Sequence, residues 1–305
     1  MTQQTKYDLA VYIGRFQPPC KHHIQAIHHG LKIAERLLIF VGSANSPRTI
    51  KNPFTAEERI DMIRSVLSFE EEKRVCFVKK QDSLYDDNQW VAGVEYNVNQ
   101  VLYEHKGPVD LVNVCLVGCS SDHTSWYLDK FPTWKKEFLP STHKGPDEQT
   151  DAHATDVRNA FLCGSDWVFD EVVAHYCYAA VTSWLMKFRK NNPDYGRLVE
   201  EYDLVRKYKE SWANAPYPPT FVTVDAVVVQ SANVLLVRRG ASPGKGLLAL
   251  PGGFVEQKER IANAVVRELK EETRIDVPPA VLFNGIKKSE VFDHPDRSLR
   301  GRTIT

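Results

Sequence analysis

The chain has 305 residues, with 39 basic and 39 acidic side chains and 43% hydrophobic residues. At about 100–200 residues per domain, this length predicts two domains, and the ordinary hydrophobic and charged fractions exclude a chain that is disordered throughout. The balanced charge argues against a nucleic-acid partner, because such binding usually shows as an excess of basic residues. A ligand that carries phosphate must therefore be bound by locally placed Arg and Lys side chains.

Hydropathy and cysteine spacing indicate the compartment. No apolar run approaches the roughly 20 residues that a membrane-spanning helix needs, and the first residues lack the apolar stretch of a secretory signal. None of the six cysteines forms a Cys-x-x-Cys pair, so the cysteines do not indicate a zinc site. We expect a cytoplasmic protein with reduced thiols and no membrane partner. The sequence leaves open whether the chain forms a homo-oligomer.

Short apolar strands alternate with amphipathic helices in the first half of the chain. Strands are predicted over residues 8–13, 37–41, 76–78 and 111–117. Helices are predicted over 22–36 and from Thr55 onward, where Glu58 completes a capping box. This alternation predicts a doubly wound parallel sheet, a Rossmann-like α/β fold whose ligands bind at the carboxyl ends of the strands. The functional residues are therefore expected in the loops at 14–21, 42–52, 82–87 and 118–125.

A proline-rich linker at 213–220 separates two differently patterned regions in the second half of the chain. Before it, residues 166–211 are predicted to be helical with a break at 191–193. After it, the pattern predicts two valine-rich strands and a charged helix, at 221–229, 233–237 and 260–273. The chain is accordingly divided into a first domain, a helical segment with the linker, and a second α/β domain, at 1–185, 186–220 and 221–305.

The charged helix of the second domain carries three glutamates on one face. Glu268, Glu271 and Glu272 have i, i+3 and i+4 spacing, which aligns them along the helix. Like charges so placed repel each other, and a hard divalent cation such as Mg²⁺ would remove that repulsion because it prefers oxygen ligands. The turn at Gly252 can bring a backbone carbonyl to the same ion. The other interpretation is a solvated Glu/Lys face without metal.

The segment from Gly253 to Ile275 resembles the Nudix hydrolase box, Gly-x5-Glu-x7-Arg-Glu-U-x-Glu-Glu-x-Gly-U, in which U is apolar. Six fixed letters match, and the late glycine is replaced by Arg274. The resemblance implies Mg²⁺-dependent cleavage of ADP-ribose or a related nucleoside diphosphate derivative, with the three helix glutamates and Gly252 as metal ligands. It also implies that Glu259 orients Arg267 or assists a metal-bound water. The alternative for Glu259 is a plain surface position.

The second domain is expected to be incomplete at its C-terminal end. The chain ends at Thr305, whereas Nudix domains usually continue with further strands and a closing helix. Residues 302–305 have the pattern of a strand that is beginning. A sheet with unpaired edges and a substrate pocket that lacks a wall are the expected consequences.

The loop after the first strand, residues 14–23, has the sequence Gly-Arg-Phe-Gln-Pro-Pro-Cys-Lys-His-His. It resembles the loop Gly-Arg-Phe-Gln-Pro-Phe-His-x-Gly-His of the nicotinamide-nucleotide adenylyltransferases. A helix N-terminus with a nearby Arg and His forms a phosphate site. Further segments resemble later motifs of the same family, at 48–59, 82–90, 118–134 and 154–158. Their order along residues 8–305 resembles the bifunctional nicotinamide-nucleotide adenylyltransferase/Nudix hydrolase family.

This resemblance implies adenylyl transfer from ATP to nicotinamide mononucleotide (NMN), which gives NAD and pyrophosphate, with Mg²⁺ accompanying ATP. It implies that His23, Arg15 and Arg158 contact the ATP phosphates. The residues that it implies for substrate binding are Gly14, Phe16, Lys51, Asp82, Trp90 and Thr155. The alternatives are core packing for Trp90 and ordinary surface positions for Lys51 and Arg158.

Several residues depart from the family pattern, among them Cys20, His22, Cys119 and Ser121. A neutral thiol at Cys20 is a weak donor and cannot supply imidazolium charge. His22 would cost about 1–2 kcal/mol if its position required a left-handed backbone. These departures support an alternative function, in which the first domain is a catalytically impaired nucleotide-binding module and only the Nudix chemistry remains. A structural or interaction protein unrelated to nucleotides is the remaining alternative.

Overall fold

The structure is a computed structural model that describes residues 6–107, 112–119, 129–139 and 154–305. It forms two compact units, Met1–Val199 and Glu200–Thr305. In the part of the chain that is described, no helix combines the length and the apolar character that a membrane crossing requires.

The first unit is built on a five-stranded parallel sheet. Its strands are β1 (Tyr7–Gly14), β2 (Ala34–Val41), β3 (Val75–Lys79), β4 (Val114–Cys119) and β5 (Lys135–Leu139). They lie in the order β3-β2-β1-β4-β5, and every neighbouring pair is parallel. The strand order reverses beside β1, which is where open α/β sheets bind ligands. The predicted doubly wound parallel sheet is confirmed.

The helices up to residue 210 are α1 (Lys21–Ile33), α2 (Ala56–Arg64), α3 (Phe69–Glu72), α4 (Asp87–Lys106), α5 (Ala154–Leu162), α6 (Asp166–Tyr176), α7 (Ala179–Asn191) and α8 (Asp194–Glu210). Helices α1 and α2 pack on one face of the sheet and α4 packs on the other. Side chains of β1 alternate between two cores, because Ala10 and Tyr12 pack with α1 and α2 while Leu9 and Val11 pack with α4. Burial on both faces explains why the strands are continuous apolar runs.

One predicted helix end differs from the structure, and one break between helices was not predicted. The helix predicted over 22–36 ends at Ile33, because residues 34–36 already pair with β1, as in Tyr7 with Ala34. Sheet pairing therefore overrides local helical spacing. The predicted break near 191–193 is confirmed between α7 and α8, but a second break at Cys177 and Tyr178, between α6 and α7, carries no glycine or proline and was not predicted.

The second unit contains a small sheet and the charged helix. Its elements are β6 (Phe221–Asp225), β7 (Val229–Gln230), β8 (Asn233–Val234), β9 (Val237–Arg238), β10 (Leu248–Ala249), β11 (Gly252–Phe254), α9 (Ile261–Thr273), α10 (Pro279–Gly285) and β12 (Thr303–Ile304). Strand β6 pairs antiparallel with β11 and parallel with β12. The strand expected at 302–305 and the helix expected at 260–273 are thus present. The strand predicted over 221–229 stops at Asp225, since Ala226 donates its N–H to Pro251 and Val227 is exposed.

Candidate functional site

The first predicted loop leaves β1 and turns sharply into α1. A Cβ at Gly14 would lie 2.7 Å from Cζ of Phe16, so the close approach of the ring requires glycine. Phe16 has a left-handed backbone, with a φ of 53°, and its buried ring packs edge-on against Tyr12 and His23. Arg15, between them, is exposed. The loop therefore uses Gly14 and Phe16 to shape the turn and leaves Arg15 at the surface.

His23 is held at the N-terminus of α1. Its Nδ1 accepts a hydrogen bond of 2.9 Å from the backbone N–H of Cys20, the N-cap residue of the helix. A neutral imidazole that accepts at Nδ1 carries its proton on Nε2, so the ring donates from Nε2. The amides of the first helical turn and the helix dipole favour an anion at the same place. This combination suits a phosphate group.

Two of the residues that differ from the family pattern lie in ordinary structural environments. His22 lies in the right-handed backbone of α1, so the cost of a left-handed conformation does not arise. Cys20 is buried, and its thiol donates to the carbonyl of Pro18 at 3.5 Å. The neighbouring Cys177 thiol and burial raise the pKa of Cys20 well above its usual range, so Cys20 is a neutral packing group. Cys119 ends β4, and Ser121 lies outside the described residues.

Three of the predicted motifs meet at Gln17. Its buried side chain donates to the carbonyl of Phe54 at 2.9 Å and accepts from the N–H of Phe54 at 3.1 Å, which joins the first loop to the second. From α5, Arg158 donates one N–H to the carbonyl of Gln17 and another to the hydroxyl of Thr155, each at 3.1 Å. The structure thus brings Arg158 and Thr155 to the first loop, across more than a hundred residues of sequence.

The residues predicted to bind the mononucleotide lie at the carboxyl edge of the sheet. Asp82 accepts two hydrogen bonds from Ser43, one from the backbone N–H at 3.2 Å and one from the hydroxyl at 2.5 Å, and so holds the turn after β2. Trp90, on α4, is half-buried, with its ring centroid 6.3 Å from that of Phe131. Lys51 is half-buried within the second loop. Part of the Trp90 surface therefore packs on the core, as the alternative interpretation of that residue expected.

Two cations at this edge were not predicted from the sequence. Arg59, on α2, is fully buried beside the first loop. Helical spacing is the signal that could have found it, because Met62 and Ile63, one turn later, are also buried. The ammonium of Lys80, just after β3, lies 5.8 Å from the ring centroid of Trp90, and burial lowers its pKa. No sequence pattern distinguishes Lys80 from the adjacent exposed lysine.

In the second unit, β11 and α9 bring the glutamates to the double glycine. A Cβ at Gly253 would lie 2.6 Å from the carboxyl carbon of Glu268, so only glycine permits this approach. The carboxylate of Glu272 accepts a hydrogen bond of 3.1 Å from the N–H of Gly252. Glu268 and Glu272 are thereby fixed against the turn that precedes the helix.

Arg267 ties the remaining carboxylates together. Its guanidinium donates two parallel hydrogen bonds to Glu259, at 3.0 and 2.9 Å. It also donates to Glu268 at 2.8 Å and to Glu271 at 3.1 Å. These hydrogen bonds hold the pKa of Glu259 below its usual value. The predicted pairing of Glu259 with Arg267 is present.

The carboxylate set has the chemistry of a divalent-cation site. Among the described residues, no three His, Cys, Asp or Glu side chains converge as a ready-made metal site, and the guanidinium of Arg267 lies between Glu268 and Glu271. The donors are nonetheless hard carboxylate oxygens grouped beside a glycine turn, which the Glu268 carboxylate approaches closely. Such donors fit a divalent cation of the oxygen-preferring kind.

Two protein families match separate parts of the chain. Residues 11–171 match the family described as cytidylyltransferase-like, and residues 219–305 match the NUDIX domain family. The first match lies within the unit that carries the parallel sheet, and the second lies within the unit that carries the glutamate helix.

Relatives of known function match each part. A nicotinamide/nicotinic acid mononucleotide adenylyltransferase of Acinetobacter baylyi is 37% identical over 159 residues, which are 52% of this chain and 78% of that protein. An ADP-ribose pyrophosphatase of Methanocaldococcus jannaschii is 43% identical over 109 residues, which are 36% of this chain and 57% of that protein. The chain thus spans little more than half the length of the second relative.

Solved structures of a bifunctional NMN adenylyltransferase/ADP ribose pyrophosphatase from Francisella tularensis match nearly the whole chain. One of them is complexed with AMP and a manganese ion. The match covers 98% of this chain and 83% of that chain, with a TM-score of 0.84 and 36% sequence identity. The match therefore extends over residues of both compact units of this chain.

Proposed function

The chain belongs to the bifunctional nicotinamide-nucleotide adenylyltransferase/Nudix hydrolase family, and we propose that it has both activities. The first unit transfers the adenylyl group of ATP to NMN and releases pyrophosphate. The second unit hydrolyses ADP-ribose or a related nucleoside diphosphate derivative and depends on a divalent metal. The observation that carries the first activity is the contact of Arg158 with Gln17, because it joins the late motif to the loop of His23 and Arg15.

Adenylyl transfer needs positioning and charge stabilisation more than covalent help. A phosphate oxygen of NMN attacks the α-phosphorus of ATP, and the bond from that phosphorus to the oxygen of the leaving pyrophosphate breaks. His23 donates from Nε2 to a phosphate oxygen, together with the first-turn amides of α1. Arg15, exposed beside this helix N-terminus, and Arg158 supply positive charge to the triphosphate.

The mononucleotide site is built from Trp90, Lys51 and Asp82. The half-buried indole of Trp90 offers a face on which the pyridine ring can stack. Lys51, in the second loop, neutralises phosphate charge. Asp82 acts by holding Ser43 at the end of β2, since both of its oxygens already accept hydrogen bonds there.

For the second unit we propose Mg²⁺ as the ion, held by Glu268, Glu271 and Glu272 with the carbonyl of Gly252. The ion would neutralise charge on the diphosphate and lower the pKa of an attacking water. Arg267 keeps Glu268 and Glu271 together and fixes Glu259 beside them. Gly253 leaves the space that the Glu268 carboxylate occupies.

The alternative, an impaired first unit that only binds nucleotides, is less well supported. It rested partly on strain at His22, and His22 has ordinary helical backbone. The Cys20 substitution removes one imidazole, but His23 keeps its N-terminal position and its hydrogen bond. Relatives and the matched structure bear the name of the active enzymes. The cytoplasmic location and the absence of a nucleic-acid partner stay predictions.

One assay of the purified full chain tests both activities. With ATP, NMN and Mg²⁺, we expect chromatography to detect NAD and pyrophosphate; with ADP-ribose and Mg²⁺, we expect AMP and ribose 5-phosphate. A wild-type chain that forms no NAD would refute the first activity. For the second, Glu268→Gln should lower the hydrolysis rate and weaken Mg²⁺ dependence, whereas Glu256→Gln, at an exposed position of the preceding loop, should do neither.

A further inference from the structure

Arg59 is a fully buried guanidinium whose hydrogen bonds all go to backbone carbonyls. It is 0% exposed and lies on α2, directly below the carboxyl ends of β1 and β2. The Nε donates to Thr55 at 3.0 Å, within the first turn of its own helix. The two other nitrogens donate outward, to the carbonyls of Arg15 at 2.5 Å, Gly42 at 2.7 Å and Ser43 at 3.5 Å.

These acceptors belong to the two loops that leave adjacent strands. Arg15 follows β1, and Gly42 and Ser43 follow β2. One guanidinium therefore spans both loops and fixes the distance between them. The N–H of Gly42 also donates to the carbonyl of Gly14 at 2.9 Å, so the loops are joined by one direct bond and by the Arg59 fork. Only a planar group with several fixed donors can make such a connection.

The charge of Arg59 has no carboxylate partner within ion-pair distance in the described parts of the chain. Burial lowers its pKa to about 10, which leaves the side chain charged at neutral pH. The Asp82 carboxylate favours the charge from beyond ion-pair distance, and the carbonyl dipoles supply the direct hydrogen bonds. A buried charge without a directly paired carboxylate is costly to the folded protein. An anionic ligand above the loops would lower that cost. A phosphate group bound above the loops would therefore explain the free-energy cost of burying Arg59, whereas an ordinary core position would not.

The side chains that the loops present depend on this backbone. Arg15 projects to the surface while its own carbonyl is held from below by Arg59. Ser43 is held on one side by Arg59 and on the other by Asp82. The loop of Arg15, which is proposed to bind the triphosphate, and the turn at Ser43, next to the proposed mononucleotide site, are therefore both hydrogen-bonded to the Arg59 guanidinium.

We propose that Arg59 is a positioning residue for adenylyl transfer, which sets the spacing between the Arg15 loop and the Ser43–Asp82 turn. The inference rests on the proposed function of the first unit. It assigns Arg59 no contact with substrate. Its effect is to keep the two substrate-binding loops at the separation that in-line transfer requires, since small misplacement of reacting groups lowers rates strongly.

The test compares Arg59→Lys with Arg64→Lys in the full chain. Lysine keeps the charge but loses the fork. Arg64, on the same helix, instead pairs with Glu72 at 3.1 Å and lies over the ring of Phe77. We expect Arg59→Lys to lower kcat/KM for NAD formation at least tenfold, mainly through kcat. Hydrolysis of ADP-ribose by the same preparation should stay close to wild type, and the first unit should remain folded although its melting temperature falls, because buried carbonyls lose donors. All readouts of Arg64→Lys should stay close to wild type.

Three results would overturn the proposal: an unchanged rate of NAD formation, a parallel loss of both activities, or loss of folding in Arg59→Lys. The last two would make Arg59 merely structural.

A second measurement does not depend on turnover. Amide hydrogen exchange at residues 14–17 and 42–44 should accelerate in Arg59→Lys and not in Arg64→Lys; uniform acceleration, or none, contradicts the inference. If the wild-type chain forms no NAD, the proposed function is refuted. The comparison of amide hydrogen exchange between Arg59→Lys and Arg64→Lys would still decide whether Arg59 positions the two loops.

Discussion

At the scale of single residues, Arg274 shows the free-energy cost of replacing a glycine of a motif by a residue with a side chain. The Nudix box has glycine at this position, and Arg274 ends α9 with a φ of 55° and a ψ of 29°, in the left-handed region. Its N–H donates to the carbonyl of Lys270, as a helix C-cap does. The left-handed conformation costs an L-residue with a Cβ about 1–2 kcal/mol. The substitution therefore strains the helix exit and leaves the glutamates where they are.

We expect Arg274→Gly to stabilise the second unit by about 1 kcal/mol, because glycine adopts this backbone without strain. Differential scanning calorimetry of the full chain should show the corresponding transition shifted upward by a few degrees. Arg274→Ala is the matched control, since it removes the same side chain and keeps the Cβ. An equal gain for alanine would mean that the side chain, and not the backbone, is the source of the strain.

The Glu259–Arg267 pair predicts a pH dependence of stability. The pKa of Glu259 is lowered in the folded state from its ordinary value of 4.5 by the Arg267 guanidinium. A lowered carboxyl pKa contributes stability that is complete above the unfolded value and is lost as the pH falls through the folded value. The melting temperature of Glu259→Gln should therefore lie furthest below wild type near pH 7, and the gap should close below pH 4.5.

Glu256→Gln provides the comparison for this profile, because Glu256 is exposed in the same loop. Its melting temperature should follow that of the wild type at every pH. A constant gap between Glu259→Gln and wild type from pH 7 to pH 3 would show that the pair has no pH-dependent share in stability.

At the scale of elements, the loops are organised by buried side chains that bind backbone. Gln17 pairs with both backbone groups of Phe54, as a neighbouring strand would, and Arg158 binds the Gln17 carbonyl from α5. Phe54 in turn packs against Phe161 and Phe188, on α5 and α7. The second loop is therefore anchored through side chains, although it contains no regular secondary structure of its own.

Replacing Gln17 by Met should expose this role. The change keeps the volume but leaves a buried N–H and a buried carbonyl of Phe54 without partners, at a cost of about 1–3 kcal/mol. Denaturant unfolding of the first unit should reveal that loss, and NAD formation should fall with it. Gln89→Met, at an exposed position of α4, is the control and should change neither. Wild-type stability in Gln17→Met would contradict the anchoring role.

At the scale of the whole molecule, the two sets of functional residues lie in different compact units. The proposed activities should therefore be separable by mutation. His23→Ala removes the donor at the N-terminus of α1 and should lower NAD formation by about 10²–10³, the usual effect of losing one transition-state donor. Hydrolysis of ADP-ribose should be unaffected. Glu271→Gln should have the reverse pattern.

The control for the first variant is His29→Ala, two turns further along α1 and outside the proposed site. It should keep both activities. Loss of both activities in His23→Ala, measured by separating NAD and AMP chromatographically, would show that the substitution disturbs the fold and would remove His23 from the proposed phosphate site.

Much of this protein was accessible from local sequence patterns. The alternation of apolar runs and amphipathic segments determined the parallel sheet, and the spacing of Glu268, Glu271 and Glu272 determined a common helical face, because both properties repeat over a few residues. The motif order determined the family. Helix spacing could not determine where α1 ends, since residues 34–36 join the sheet through pairing with β1.

The tertiary structure decided which side chains stand behind the motifs. Helical spacing places Arg59 on the apolar face of α2, but only the packing of α2 against the loops after β1 and β2 brings its guanidinium to their carbonyls. Likewise, the meeting of Arg158 with Gln17 depends on chain folding over a distance that no repeat records. The periodicity of a sequence predicts which face of a single helix or strand is buried. These contacts form only when separate elements pack against each other. Packing removes water from certain donors and acceptors, which must then form hydrogen bonds within the protein.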